Sequence, residues 1–188
     1  MPFQFSDSSI KDVKIIGSKM FSDSRGLFFE TYKKSEFSAH GIADTFVQEN
    51  VSVSRKSVLR GLHYQINPKA QGKLVSVMSG SIFDVAVDIR KGSPTFGKYA
   101  SVELNAQDGR MFWIPEGFAH GFLSLEDDTR VAYKITTEYS PEHERGILWN
   151  DPAIGIPWPQ INVIMAERDS SFPVLSRAEM NFVYGDGQ

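Results

Sequence analysis

The sequence predicts an all-β protein, a sandwich or barrel with a few short helices. Short β-forming runs recur between turn signals at the spacing such folds use. No stretch sustains a long helical period, which removes the strand–helix alternation of a doubly wound nucleotide-binding fold. The 15 glycines, 9 prolines and 14 phenylalanines are spread through 188 residues without a low-complexity block, a repeat or a linker, so residues 1–188 are read as one domain.

In chain order, strands are predicted over residues 26–32, 46–54 and 73–78, each carrying Phe, Val or Leu. The turn Ser79-Gly80-Ser81 leads into a strand over 82–89, and Gly92-Ser93-Pro94 separates it from the next, over 99–104. Strands over 111–114, 118–125 and 130–137 complete the series. One short helix is expected where Ser35 caps, residues 36–40 fill and Gly41 stops it. A second is expected after Asp151-Pro152, since proline suits a first helical turn, and a third over 177–182. Two local patterns are decoys. Residues 92–98 read G-x-x-x-x-G-K, but Tyr99 follows where a phosphate-binding loop needs Ser or Thr, and Pro94 interrupts it, so a turn is expected. Asn50-Val51-Ser52 matches a glycosylation acceptor without the secretory leader that would give it meaning.

Strand parity gives the first functional hint. In the run 82–89, Phe83, Val85, Val87 and Ile89 make one wholly apolar face, while Ile82, Asp84, Ala86 and Asp88 share the other, which Arg90 continues. Two placements satisfy this pattern. Either the aspartates face solvent, or they face the interior of a barrel that holds a ligand and therefore accepts polar groups inside. Val131, Tyr133 and Ile135 likewise put a tyrosine on an apolar face.

Composition narrows the chemistry. Lys and Arg total 20 against 23 Asp and Glu, a net charge of −3, so no basic field exists to grip a nucleic-acid polymer. There is no cysteine, which excludes disulfides, zinc-thiolate sites, iron–sulfur clusters and thiol nucleophiles. No apolar run approaches the ~18 residues of a membrane-spanning helix. The start MPFQFSDSS has neither a basic n-region nor an apolar h-region, so a soluble, cytoplasmic protein is expected. Any chemistry falls to His, Tyr, Asp, Glu, Lys and Arg.

The segment Pro115-Glu116-Gly117-Phe118-Ala119-His120 has the form P-x-G-x-x-H and resembles the second cupin motif, a turn that delivers a histidine into a small β-barrel. A cupin metal site also needs an H-x-H pair. Gly61-Leu62-His63-Tyr64-Gln65 offers one histidine, with Gln65 two residues on. Two histidines are fewer than the three protein ligands usual at such a metal, so a cupin-like barrel working without metal is expected.

Further segments carry a closer resemblance: DSRGLFFE from Asp23, QENVSVS from Gln48, LRGLHYQ from Leu59, QGKLVSVMSG from Gln71 and FDVAVDIRKGSPTFGKY from Phe83. WIPEGFAHGF from Trp113, the Tyr133 strand, ILWNDP from Ile147 and Arg168-Asp169 continue the series. In that order, across about nine-tenths of the chain, they resemble the dTDP-4-dehydrorhamnose 3,5-epimerase family of nucleotide-sugar isomerases. The resemblance implies a cupin-type jelly-roll β-barrel or sandwich, no metal or organic cofactor, a homodimer, and a thymidine-diphosphate 4-keto-6-deoxy sugar as substrate. Protons flanking a ketone are acidic because the carbanion delocalises onto oxygen as an enolate, so epimerisation needs a base, an acid on the other face and a positive group at that oxygen.

By the same resemblance His63 is the base, Asp169 its hydrogen-bond acceptor, Tyr133 the acid and Lys73 the cation near the keto oxygen. His120, oriented by Asp84, lines the same pocket, and both are implied as binding positions. Arg25, Arg60 and Arg168 are implied at the diphosphate, a task that suits the arginine fork. Taken singly, each of these arginines also reads as an ordinary surface ion pair. Gln48 and Asn50, two apart and so on one strand face, are suited to sugar or base polar groups, and Glu30 and Glu144 match further binding positions of the family. Tyr139 is implied to stack on thymine; otherwise it is a tyrosine at a rim. Arg60 and His63 are three apart, so a regular strand points them to opposite faces; a bulge or bend at Gly61 is expected to bring them together. The pair Phe28-Phe29 is too apolar for a free edge strand, and the resemblance implies that it pairs with a second subunit, to whose pocket Arg25 and Glu30 would then belong. The readings that compete with double epimerisation are a mono-epimerase or ketoisomerase of the same substrate class, a metal-dependent cupin, and a non-catalytic sugar-nucleotide-binding jelly roll.

Overall fold

The computed structural model describes residues 2–159 and 162–185. Its strands in chain order are β1 (Phe3–Asp7), β2 (Lys14–Ser18), β3 (Phe21–Asp23), β4 (Gly26–Phe28), β5 (Gln48–Ser54), β6 (Leu59–Gln65) and β7 (Lys73–Ser79), followed by β8 (Ser81–Asp88), β9 (Tyr99–Asn105), β10 (Arg110–Ile114), β11 (Phe118–Ser124), β12 (Thr129–Ile135) and β13 (Glu144–Gly146). Two short helices, α1 (Lys34–Ala39) and α2 (Glu167–Ser170), and a 3₁₀ turn at Leu175–Arg177 complete the elements. A six-stranded sheet runs β1-β2-β10-β7-β12-β5 and a five-stranded sheet runs β13-β6-β11-β8-β9, all pairs antiparallel. The hairpin β3–β4 stands apart from both.

Three apolar layers hold this arrangement. Between the sheets, Val75, Phe112 and Val131 of one meet Ile82, Val102 and Phe122 of the other. On the outside of the six-stranded sheet, Phe37 of α1 is fully buried among Phe3, Leu74 and Trp113. On the outside of the five-stranded sheet, Val85, Val87 and Ile89 pack under Ile147, Ile154, Leu175 and Phe182 of the C-terminal segment. That third layer decides between the two placements parity allowed. The apolar face of β8 is spent on the C-terminal segment, so Asp84 and Asp88 point away from solvent and both are 0% exposed. Asp88 is occupied locally: it accepts from Arg90, Ser93 and Thr95, closing the turn that mimics a phosphate-binding loop.

The eight predicted strands are all present, although only Gly26–Phe28 of the first is paired. Those not predicted as strands were β1, β2, β3, β6 and β13, which are short, polar or interrupted by glycine. The first helix begins at Lys34 with Lys33 at its cap, so Ser35 lies inside it and caps nothing. The Tyr32 and Phe37 rings meet edge-on at 4.9 Å, and that packing rather than a hydroxyl sets the entry. No helix follows Pro152: Ile154 and Gly155 both donate to the Asp151 carbonyl in a single turn. Residues 177–182 are not helical either, because the 3₁₀ turn ends at Arg177 and the chain then extends to a bridge between Val183 and Lys91.

Candidate active site

A cavity of about 390 Å³ opens between the ends of the two sheets. The five-stranded sheet contributes Arg60 and His63 from β6, His120 and Phe122 from β11 and Glu144 from β13; the six-stranded sheet contributes Gln48, Asn50 and Ser52 from β5, Lys73 from β7 and Tyr133 and Ile135 from β12. Tyr139, Arg168 and Asp169 close the rim.

The conflict between Arg60 and His63 is resolved at Gly61. His63 pairs with His120 and Arg60 with Phe122, three residues on β6 against two on β11, which is a bulge. Gly61 takes φ +133°, and a Cβ there would stand 2.5 Å from the Gly121 Cα. Only glycine meets both demands. Both side chains consequently reach the cavity.

His63 donates from Nε2 to Asp169 Oδ1 at 2.9 Å, and the Gly61 N–H donates to the other carboxylate oxygen at 3.3 Å. Burial works to raise the Asp169 pKa, but these bonds, the His63 charge and Arg168 outweigh it and hold the carboxyl below its ordinary value. The pair leaves Nδ1 as the basic atom of His63. Tyr133 faces it from the opposite sheet, and burial, ahead of an opposing pull from Arg60, raises its pKa so that the phenol keeps its proton. Lys73 is buried and donates to the His63 carbonyl at 3.3 Å; burial pushes its pKa from 10.5 down to about 8 against the attraction of Glu144 and Asp84.

At the rim Arg168 makes a forked contact with Glu144, at 2.6 and 3.3 Å, and Tyr139 donates to the same carboxylate at 2.8 Å. Gln48 and Asn50 share a face as expected and are joined at 2.9 Å, with Gln48 also accepting from the Tyr139 N–H. Arg60 is loosely held, by Ser54 Oγ at 3.2 Å and the Val53 carbonyl at 3.4 Å.

Three residues expected at the ligand stand elsewhere. Asp84 is no part of the cavity wall: it sits behind His120, accepting its Nε2–H at 2.6 Å, and is sealed from any ligand. Arg25 lies on the exposed β3–β4 hairpin, paired with Asp23 at 2.6 Å, and neither it nor Glu30 reaches this cavity within the chain. Conversely, Ser52, Ile135 and Phe122 line the cavity without having been singled out. Parity alone points to them, since each is two residues from Asn50, Tyr133 or His120 on the same face. Among the described residues no three His, Cys, Asp or Glu side chains converge as a metal site would require. No helix of the described residues is long and apolar enough to cross a membrane.

An imidazole–carboxylate pair facing a phenol across a jelly-roll cavity, with an ammonium beside them, defines a cupin-like acid–base enzyme. The chain belongs to the dTDP-4-dehydrorhamnose 3,5-epimerase family, whose model matches residues 7–177. It is 52% identical over 174 residues to the dTDP-4-dehydrorhamnose 3,5-epimerase of Salmonella typhimurium, covering 91% of this chain and 94% of that one. With the corresponding enzyme of Sinorhizobium fredii it shares 48% identity over 183 residues, 96% of this chain and 93% of the relative. The crystal structure of a dTDP-6-deoxy-D-glucose-3,5-epimerase from Legionella pneumophila, in complex with dTDP-4-keto-L-rhamnose, superposes with a TM-score of 0.90 at 46% identity, covering 93% and 94% of the two chains.

Proposed function

We propose that this protein epimerises C3 and C5 of dTDP-4-dehydro-6-deoxy-D-glucose to give dTDP-4-dehydro-L-rhamnose, with its own side chains as the only catalysts. The observation that carries this reading is the cavity with a buried-carboxylate-backed imidazole on one sheet and a protonated phenol on the other. His63 Nδ1 takes the proton from the carbon beside the ketone, and the electron pair moves onto the keto oxygen. The Lys73 ammonium stabilises that oxyanion where water is excluded and charge interactions are strong. Tyr133 then delivers its proton to the opposite face of the carbon, and the configuration inverts. Solvent reprotonates the phenolate and removes the proton from the imidazolium, so the cycle closes with no net change in protons. The same two groups serve both carbons because both flank the one ketone.

Arg60 and Arg168 are the chain's own cations for the diphosphate, and Tyr139, at the rim and half exposed, supplies a ring for the base to stack on. We further propose a homodimer of this one jelly-roll domain, in which Arg25 and Glu30 serve the neighbour's cavity. The exposure of Phe21, Leu27 and Phe28 on the β3–β4 hairpin supports it, since 48, 51 and 68% exposed side chains make an apolar arm that the described residues of its own chain leave uncovered.

The test is incubation with the 4-keto-6-deoxyglucose nucleotide in heavy water, with deuterium entry followed by NMR. Exchange at both carbons is expected. Exchange at one carbon would make the protein a mono-epimerase, and no exchange would sink the assignment.

A further inference from the structure

His63 and His120 are register partners across β6 and β11, and each gives its Nε2–H to a buried aspartate. The Asp84 carboxylate can only accept, so His120 carries a hydrogen on Nε2, and in the neutral ring Nδ1 is then the lone-pair nitrogen. Asp84 is itself held by the Val85 N–H on the same oxygen, at 3.1 Å, which anchors the pair to the strand. Among the described residues, His120 Nδ1 has no hydrogen-bond partner, and the ring forms part of the cavity wall. Burial, ahead of the opposing attraction of Asp84 and aided by the Lys73 and His63 charges, lowers the His120 pKa from its ordinary value and so favours the uncharged ring.

An uncharged Nε2–H imidazole offers the cavity a lone pair and no donor. A ketone oxygen also offers only lone pairs, so the two do not pair, and the ketone is left to the Lys73 ammonium. On the epimerase reading above, the two carbons beside the ketone carry different substituents. C5 bears the ring oxygen and a methyl group, neither of which donates. C3 bears a hydroxyl, the one donor carried by a carbon that flanks the ketone. We propose that Asp84 holds His120 as the neutral Nε2–H tautomer whose Nδ1 accepts the hydrogen bond of the substrate's C3 hydroxyl. His120 is then a substrate-recognition residue for one of the two reacting carbons, and Asp84 a positioning residue acting through it. A hydroxyl that finds an acceptor only in one orientation also ties the sugar's C3 configuration to its seating in the cavity.

The first test reads the tautomer in the wild-type enzyme. With ¹⁵N-labelled histidine at neutral pH, the His120 signals, assigned by their loss in His120→Asn, should show a pyridine-like Nδ1 and a pyrrole-like Nε2. Two pyrrole-like nitrogens, or the reverse assignment, would overturn the proposal. The second test compares C5 exchange of the natural nucleotide sugar with that of its 3-deoxy analogue, in wild type and His120→Ala. Loss of about tenfold or more in kcat/KM is expected on the natural substrate, and within about threefold on the analogue, which has no hydroxyl to lose. Equal losses on both would show that His120 does not act through the C3 hydroxyl and defeat the proposal. A wild-type enzyme that exchanges neither carbon of the natural substrate defeats the epimerase reading itself, and this assignment with it.

Discussion

The Lys73 ammonium, out of water and 3.3 Å from the His63 carbonyl, ties activity and stability to pH in opposite directions. Its pKa of about 8 in the fold lies below the ordinary 10.5. If the charged form stabilises the enolate, kcat falls as pH rises through about 8. Between about 8 and 10.5 the unfolded chain binds this proton and the folded chain does not, so the stability contribution of Lys73 improves with pH across that window. A pH–rate profile beside a melting curve checks both signs, and a parallel loss of stability would show that unfolding, not Lys73, limits the rate. Lys73→Met should lower kcat by about 10²-fold or more while leaving the melting temperature at neutral pH equal or higher, because a buried charge becomes a buried thioether of similar size. Tyr133→Phe separates the two proton transfers: His63 still exchanges the proton on its own face, so deuterium enters while epimer formation drops about 10²-fold. His63→Ala should abolish both exchange and epimerisation with the fold intact, and substantial residual exchange would refute its role as base.

At the scale of the element, β6 is the part of the site that local sequence describes least directly. Its glycine breaks the alternation that marks a strand, yet that break is what lets Arg60 and His63 face the same space. Gly61→Ala should destabilise the protein by about 1–3 kcal/mol and reduce activity further than stability, since the bulge must shift to admit a Cβ beside Gly121. Chemical denaturation and the exchange assay measure the two effects separately. The helix α1 teaches a related lesson: Ser35 has the right chemistry for a cap, but burial of Phe37 against Phe3 and Tyr32 outweighs the roughly 1 kcal/mol a cap supplies. The short α2, which carries Arg168 and Asp169, had no periodic signal at four residues, so the residues were legible only through their order along the chain.

For the whole molecule, the face left uncovered is as informative as the core. The six-stranded sheet is covered by α1 over only part of its outer side; beyond it Val51, Val53 and Met78 remain 58, 56 and 63% exposed. With the β3–β4 hairpin, this makes an apolar surface of the kind a second copy buries. Light scattering at micromolar concentration should return a dimer. If Arg25 serves the neighbour's cavity, Arg25→Ala and His63→Ala should each be impaired alone, and subunit exchange between them should restore about a quarter of wild-type activity. That figure follows from random pairing, where half the dimers are mixed and each holds one intact site. No recovery on mixing, with exchange of subunits demonstrated, would show that Arg25 does not serve the neighbour's cavity.

The sequence by itself determined the all-β class, the order of most strands, the exclusion of thiol chemistry and, through motif order, which side chains are proposed to react. Those are properties of residue type, local period and motif order, each readable within a few positions. Only the tertiary structure decided where the paired sheets leave room. It sent Asp84 behind His120 rather than to the ligand, because the other face of β8 is occupied by the C-terminal segment. It put His63 and Tyr133 on opposing sheets, and it kept Arg25 and Glu30 out of their own chain's cavity. Strand parity names two faces but not which is inside, and that choice belongs to packing between segments that lie far apart along the chain.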